Sequence, residues 1–103
     1  MAILDGIRHK VGRGLYELSQ HAADQAIKRQ ITIDEVEQAI AAGEIIENYP
    51  DDKYGPSCLV LGFTRSERPL HVQCSYPSRA LVKLITMYQP DPELWIDLRV
   101  RRR

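Results

Sequence analysis

The sequence predicts an α+β domain in which two N-terminal helices pack on one face of a four-stranded antiparallel sheet. Three observations lead there. Apolar residues recur at helical spacing only before Gly43; runs rich in Val, Ile, Leu and Tyr, punctuated by Pro, Gly and Ser, follow it; and 103 residues suffice for one core but not two. Residues 1–103 are accordingly read as a single domain, with 1–14 as a short helix or partly ordered arm and 99–103 as a basic tail.

Each element has its own signal. Ile3, Leu4, Ile7 and Val11 fall at helical spacing, while Gly6, Gly12 and Gly14 weaken a helix. Residues 15–18 read as a short strand, and Ser19 is a good N-cap for the helix that follows. That helix has a narrow small-residue face of Ala22, Ala23, Ala26 and Ile27, with His21, Gln25, Lys28 and Arg29 striped along the other side. Thr32 and Glu35 form a capping box for a second helix, Ile33, Val36, Ala39 and Ile40 give its buried stripe, and Gly43 ends it. Strands are expected at 44–49, 57–64, 70–76 and 80–88, the last stopped by Pro90 and Pro92. The stretch ELWIDLRVRRR reads as a last short strand or turn before the tail.

Turn positions fix an expected register. A tip at Ser66 and Glu67 sets Gly62 opposite His71, and a tip at Ser78 and Arg79 sets His71 opposite Thr86. Leu59, Leu61, Phe63, Leu70, Val72, Cys74, Ile85 and Met87 then share a core face. His71, Thr86, Tyr88, Gln73 and Ser75 take the other, with Gly62 beside His71 either leaving room for a ligand or marking a bulge.

Composition narrows the class. Hydrophobic residues at 44% and charged residues at 27% argue against disorder and fibre, and no apolar run is long enough to span a membrane, so a cytoplasmic protein without membrane contact is expected. Cys58 and Cys74 show no metal-ligand spacing with each other or with His9, His21 and His71; both read as reduced strand residues, and neither metal nor cofactor is expected. Fourteen bases balance fourteen acids, but unevenly: residues 31–56 hold seven acids and one base, and both flanks are net basic. Folding is expected to turn this into an acidic face and a basic face, or into a merely solvated pattern.

The polar sheet face has two readings. It is a solvated surface of good strand formers, or a concave site in which His71 titrates, Tyr88 donates a hydrogen bond and Arg68 or Arg79 supplies fixed charge. His21 sits at the positive end of a helix, which favours the neutral imidazole a general base needs; the other reading packs its ring or leaves it in water. Arg29 binds phosphate or pairs with an acid such as Glu35. The RVRRR tail neutralises nucleic-acid phosphates or merely solubilises the terminus.

The stretches SQHAADQAIKRQIT, AAGEIIENYP, RPLHVQC and LITMYQPD, with Trp95 after them, resemble the bacterial and phage family of domain of unknown function 4258. The resemblance singles out His21, Arg29, His71, Thr86 and Tyr88. This chain departs from it at Gln25, where many relatives carry arginine, and at Gln30, where they carry glycine. The family looks like part of the RelE-like and barnase-like folds, whose toxin members cleave RNA without metal, and this implies an RNA substrate and a cognate antitoxin partner.

The leading expectation is therefore a toxin-type, metal-independent endoribonuclease. His21 or His71 acts as acid or base, Tyr88 as hydrogen-bond donor, and Arg29, Arg68, Arg79 and Thr86 bind substrate. The acidic segment from Asp34 to Asp52 would dock a basic antitoxin. The alternative is a non-catalytic protein-interaction or ligand-binding module of a mobile-element or phage pathway.

Overall fold

The computed structural model describes residues 2–102. Helix α1 (Ala2–Gly12) leads into strand β1 (Tyr16–Leu18), helices α2 (Gln20–Arg29) and α3 (Ile33–Ala41), and strands β2 (Glu44–Tyr49), β3 (Ser57–Phe63), β4 (Pro69–Ser75) and β5 (Val82–Tyr88). Two further short strands, β6 (Trp95–Ile96) and β7 (Val100–Arg101), form a separate hairpin.

The main sheet has five strands rather than four, in the order β1-β5-β4-β3-β2, and it is not wholly antiparallel: β1 runs parallel to β5, with Tyr16 opposite Val82 and Leu18 opposite Leu84. A three-residue strand whose partner lies more than sixty residues away carries no local sign of its direction. Of the two readings of residues 1–14, the helix is the one formed, and it makes three helices with α2 and α3. In α1, Ile7 and Val11 are buried in the core, and Gly6 lets Pro77 approach, since a Cβ there would lie 2.6 Å from the proline Cγ. One buried cluster ties the helices to the sheet, joining Ile7, Ala22, Val36 and Ile40 to Val60, Val72, Leu84 and Met87.

Strand parity is the main correction. Within β4 the expected faces hold: Leu70, Val72 and Cys74 point to the helices and His71, Gln73 and Ser75 away from them. In β3 they are exchanged, because Leu61, not Gly62, stands opposite His71. Cys58, Val60 and Gly62 therefore face the helices, while Leu59, Leu61 and Phe63 face the other side. The strand gave no warning, since all but its last residue are buried and the polar-apolar alternation that sets parity is absent. Gly62 serves neither a ligand nor a bulge: it is the point of closest approach to α3, where a Cβ would meet the Ala39 carbonyl oxygen at 1.8 Å.

On the next strand, His71 stands opposite Tyr88 rather than Thr86, and an irregularity between Thr86 and Leu84 restores Met87 and Leu84 to the helix side. Ile85 falls at this irregularity and lines a cleft with Ser75 and Lys83 instead of joining the core.

Helix α2 guards the free edge of β5 beyond the end of β1. Ser19 caps the helix by accepting from the Ala22 N–H and ties it to the strand by donating to the Ile85 carbonyl at 2.8 Å. The helix ends at Gln30 in the left-handed conformation, φ 54° and ψ 50°, where a side chain is strained and glycine is not. Gln30→Gly is expected to raise stability by about 1 kcal/mol with an unchanged denaturant slope, read by urea unfolding. An unchanged or lower midpoint would show that the αL geometry carries no strain here.

The charged blocks are partly interleaved. Arg68 pairs with Glu35, Arg99 with Glu44 and Arg101 with Glu47, so bases from the C-terminal block are drawn onto acids of the middle block. Three of the seven acids of the middle block are paired in this way, while Asp34, Glu37, Asp51 and Asp52 are in none of these ion pairs. Among the described residues, no helix is long and apolar enough to cross a membrane.

Candidate functional site

The sheet face away from the helices is closed at one end by the C-terminal hairpin. Its three-residue turn, 97–99, joins Ile96 to its partner Val100 and places Asp97 and Leu98 consecutively at φ 51° and 64°, with the Arg99 N–H donating to the Ile96 carbonyl. The usual Asn-Gly signal is missing, so the sequence does not announce it. Tertiary contacts hold it instead: the Leu98 carbonyl accepts a 2.7 Å hydrogen bond from His71 Nε2, and Arg99 and Arg101 reach across to Glu44 and Glu47 on β2.

His71 is fully buried beneath this hairpin. A carbonyl can only accept, so Nε2 carries the proton and Nδ1 is left as the acceptor for the Tyr88 hydroxyl 3.2 Å away. Trp95 and Tyr88 meet the imidazole edge-on, with ring centroids 4.5 and 5.2 Å from it. Burial lowers the His71 pKa from its ordinary value, outweighing the Leu98 carbonyl and the Glu47 charge that favour the cation. The ring is accordingly neutral at pH 7.

A second layer surrounds that ring. Arg101 lies 4.6 Å from the Trp95 ring centroid and pairs with Glu47 at 3.0 Å; Glu47 also accepts from the Tyr49 hydroxyl. Burial works to raise Glu47, yet Tyr49 and Arg101 together hold it below the usual carboxylate value. The Tyr49 phenol is pushed up to about 12, by burial first and then by the Glu47 carboxylate. Tyr49 and Leu98 are not singled out by the sequence, and Arg101 and Glu47 enter it only as members of the basic tail and the acidic segment; the shared parity of Glu47 and Tyr49 in β2 is readable.

The structure distributes the expected site residues as follows. His71 and Tyr88 are in direct contact. Thr86 donates at 2.7 Å to the Gln25 side-chain oxygen, which also accepts from the Met87 N–H. Arg29, one turn beyond Gln25, places its charge where it favours ionisation of Tyr88, although burial raises that phenol's pKa overall. His21, one turn before Gln25, is exposed, and its side chain makes no hydrogen bond or ion pair with another described residue. These residues form a rim along α2 and β5.

The remaining two expected residues lie elsewhere. The Arg68 guanidinium is taken up by the Arg29 and Gln30 carbonyls at the end of α2, by Glu35 at the start of α3 and by the Gln89 side chain. It positions the end of α2, and through it Arg29. Arg79 donates to the Tyr54 carbonyl at the opposite end of the sheet face, in a cleft also lined by Asp52, Ser75 and Lys83.

Gln25 is a further residue of the rim. Its side-chain oxygen accepts two bonds at once, and the arginine expected there by resemblance has no acceptor, so this chain's edge of β5 is satisfied in its own way. Cys58 and Cys74 are buried free thiols with burial pushing both pKa values up, which suits inert strand residues. Among the described residues, no three His, Cys, Asp or Glu side chains converge as a metal site.

This architecture defines a class: a small α+β domain with helices on one sheet face and, on the other, a buried histidine-tyrosine pair at the edge of a polar rim. Within it, the chain belongs to the family described as Domain of unknown function (DUF4258), whose model matches residues 18–89. That span holds His21, Arg29, His71, Thr86 and Tyr88, and leaves out α1 and the C-terminal hairpin. No curated protein and no solved structure matches the chain.

Proposed function

We propose that this protein is a metal-independent endoribonuclease of the toxin type, in which the substrate's own 2′-hydroxyl attacks the adjacent phosphate. The observation that carries the reading is the Tyr88–His71 pair, with the far side of His71 fixed on the Leu98 carbonyl and the charge of Arg29 beside Tyr88. Tyr88 Oη takes the proton of the 2′-hydroxyl while its own proton passes to His71 Nδ1. The 2′-oxygen bonds to phosphorus, the bond from phosphorus to the 5′-oxygen breaks, and His21 serves as the acid that gives a proton to that leaving oxygen. Arg29 stabilises the phosphoryl oxygens, and Gln25 fixes Thr86 at the rim. The products are a 2′,3′-cyclic phosphate and a 5′-hydroxyl.

The resemblance to RelE-like and barnase-like toxins supports the same chemistry by analogy, and it calls for an antitoxin partner. Glu35, Glu44 and Glu47 of the acidic segment are already paired, so docking of that partner there would fall to Asp34, Glu37, Asp51 and Asp52. One observation favours the second reading, a non-catalytic interaction or ligand-binding module: both ring nitrogens of His71 are bonded inside the fold.

Cleavage of single-stranded RNA by purified protein in EDTA decides between them. His21→Ala and Tyr88→Phe are each expected to slow cleavage by roughly 10²- to 10⁴-fold while circular dichroism is unchanged. Growth arrest on induction that persists undiminished in the double variant would instead establish the interaction module.

A further inference from the structure

The polar sheet face continues past Thr86 and Gln73 into a second cleft of about 350 Å³, between the loop at 52–55 and the ends of β4 and β5. We propose that this cleft is a binding subsite for one nucleotide of single-stranded RNA, taking its phosphodiester on Arg79 and Lys83 and its base on Tyr54. The inference rests on the ribonuclease reading for its substrate class and on separate residues for its geometry.

Charge argues for a phosphodiester. Lys83 is half-buried, and none of the ion pairs among the described residues engages it; Glu17, its partner in register on β1, is exposed. The Arg79 guanidinium makes a single 3.3 Å bond to the Tyr54 carbonyl, leaving its other donors for a ligand. Asp52 is the one acid lining the cleft, and it is committed locally, accepting from the Tyr54 N–H at 3.2 Å and the Ser57 hydroxyl at 3.0 Å. Two cations against one carboxylate leave the cleft with one net positive charge, which suits a monoanionic internucleotide phosphate.

Tyr54 argues for a base. Its ring is 78% exposed at the mouth of the cleft, far more than a tyrosine placed there for packing, with the Lys53 ammonium 5.0 Å from its centroid. Exposed aromatic rings beside a cationic groove are stacking platforms for unpaired bases. The cleft is also built in advance: Lys10 donates to the Arg79 and Ala80 carbonyls, pinning the turn that carries Arg79, and the Ser75 hydroxyl accepts from the Lys83 N–H at 2.8 Å. Ser75 lies four residues along β4 from His71, roughly 13 Å in an extended strand, and His71 is itself buried but stands opposite the half-buried Tyr88, so one RNA strand can span Tyr88 and this cleft.

The test separates binding from cleavage. Fluorescence anisotropy of the full chain with a short 2′-O-methylated RNA, which offers no free 2′-hydroxyl, reads binding alone. Lys83→Ala with Arg79→Ala is expected to weaken it tenfold or more and to flatten its salt dependence, and Tyr54→Ala to weaken it about tenfold with the salt dependence unchanged. All three side chains lie at the surface or half-buried, and circular dichroism confirms that the fold is retained. Binding within twofold of wild type in the triple variant overturns the subsite, and unchanged cleavage of ordinary RNA by that variant leaves the ribonuclease reading standing. Conversely, weakened binding in the variants of a protein that cleaves nothing supports the subsite and removes the ribonuclease. If adenosine 5′-monophosphate shifts no amide resonances in residues 52–55 that inorganic phosphate does not shift equally, the base platform is overturned.

Discussion

Gly62→Ala is expected to destabilise the protein by about 3 kcal/mol or more, the upper range for forcing extra volume into a packed interface. The added Cβ would lie 1.8 Å from the Ala39 carbonyl oxygen, 2.4 Å from its carbonyl carbon and 2.8 Å from its Cα. All three are backbone atoms, so no side-chain rotation relieves the clash and α3 must lift off the sheet. Val36, Ala39 and Ile40 would lose their seat on Val60 and Val72. Gly12→Ala is the matched control, since a Cβ there meets nothing within 4 Å, and its stability should be equal or slightly higher. Thermal or urea unfolding of the two variants reads the difference; a Gly62→Ala protein within 1 kcal/mol of wild type would show that α3 does not approach the sheet at this point.

The second large effect belongs to His71. His71→Ala removes a fully buried ring, leaves the Leu98 carbonyl without its donor and strips Trp95 and Tyr88 of their shared neighbour, at an expected cost of about 3 kcal/mol. Wild-type stability should also depend on pH in a defined window. The folded-state pKa of His71 is below its ordinary 6.5, so the unfolded chain binds the proton more readily. The stabilisation from this group is complete above about pH 6.5 and is lost progressively as pH falls toward the lower folded value. Glu35 and Glu47 have pKa values depressed from 4.5, and their contributions persist until pH falls below that value. For Glu35 the causes are the Thr32 N–H first and then Arg68.

Between pH 6.5 and 4.5 the fall in stability therefore reports His71. Urea unfolding across this range should slope downward for wild type and lie flatter for His71→Gln, which cannot take a proton. A flat wild-type profile would mean that the imidazole is not held neutral. Trp95, in edge contact with the ring, supplies a fluorescence signal for opening of the hairpin in the same experiment.

Much of the local structure was legible. Ser19 as a cap, the Thr32–Glu35 box, the apolar stripe of α3 and the strand positions of β2 through β5 are encoded within a few residues of each other, and the structure contains them. The polar side of β4 was legible too, because Leu70, Val72 and Cys74 alternate with His71, Gln73 and Ser75. The contact partner of His71 was not. A shift of one or two residues in each hairpin exchanged Gly62 for Leu61 and Thr86 for Tyr88, and nothing in a buried strand such as β3 resists such a shift until its neighbours are in place.

The sequence by itself determined the α+β class, the capped helices, the apolar stripes and which residue types were available for chemistry, since all of these follow from short-range periodicity and capping. Only the tertiary structure decided that β1 joins β5 in parallel, that the helices need a side-chain-free Gly62, and that the arginine-rich end folds back. Each depends on a contact between residues far apart in the chain, where no local propensity speaks. The turn at Asp97 and Leu98 shows why: two left-handed residues without glycine are unfavourable alone, and they are held by the His71 bond and by Arg99 and Arg101 on Glu44 and Glu47. Those same pairings draw part of the basic end onto part of the acidic segment.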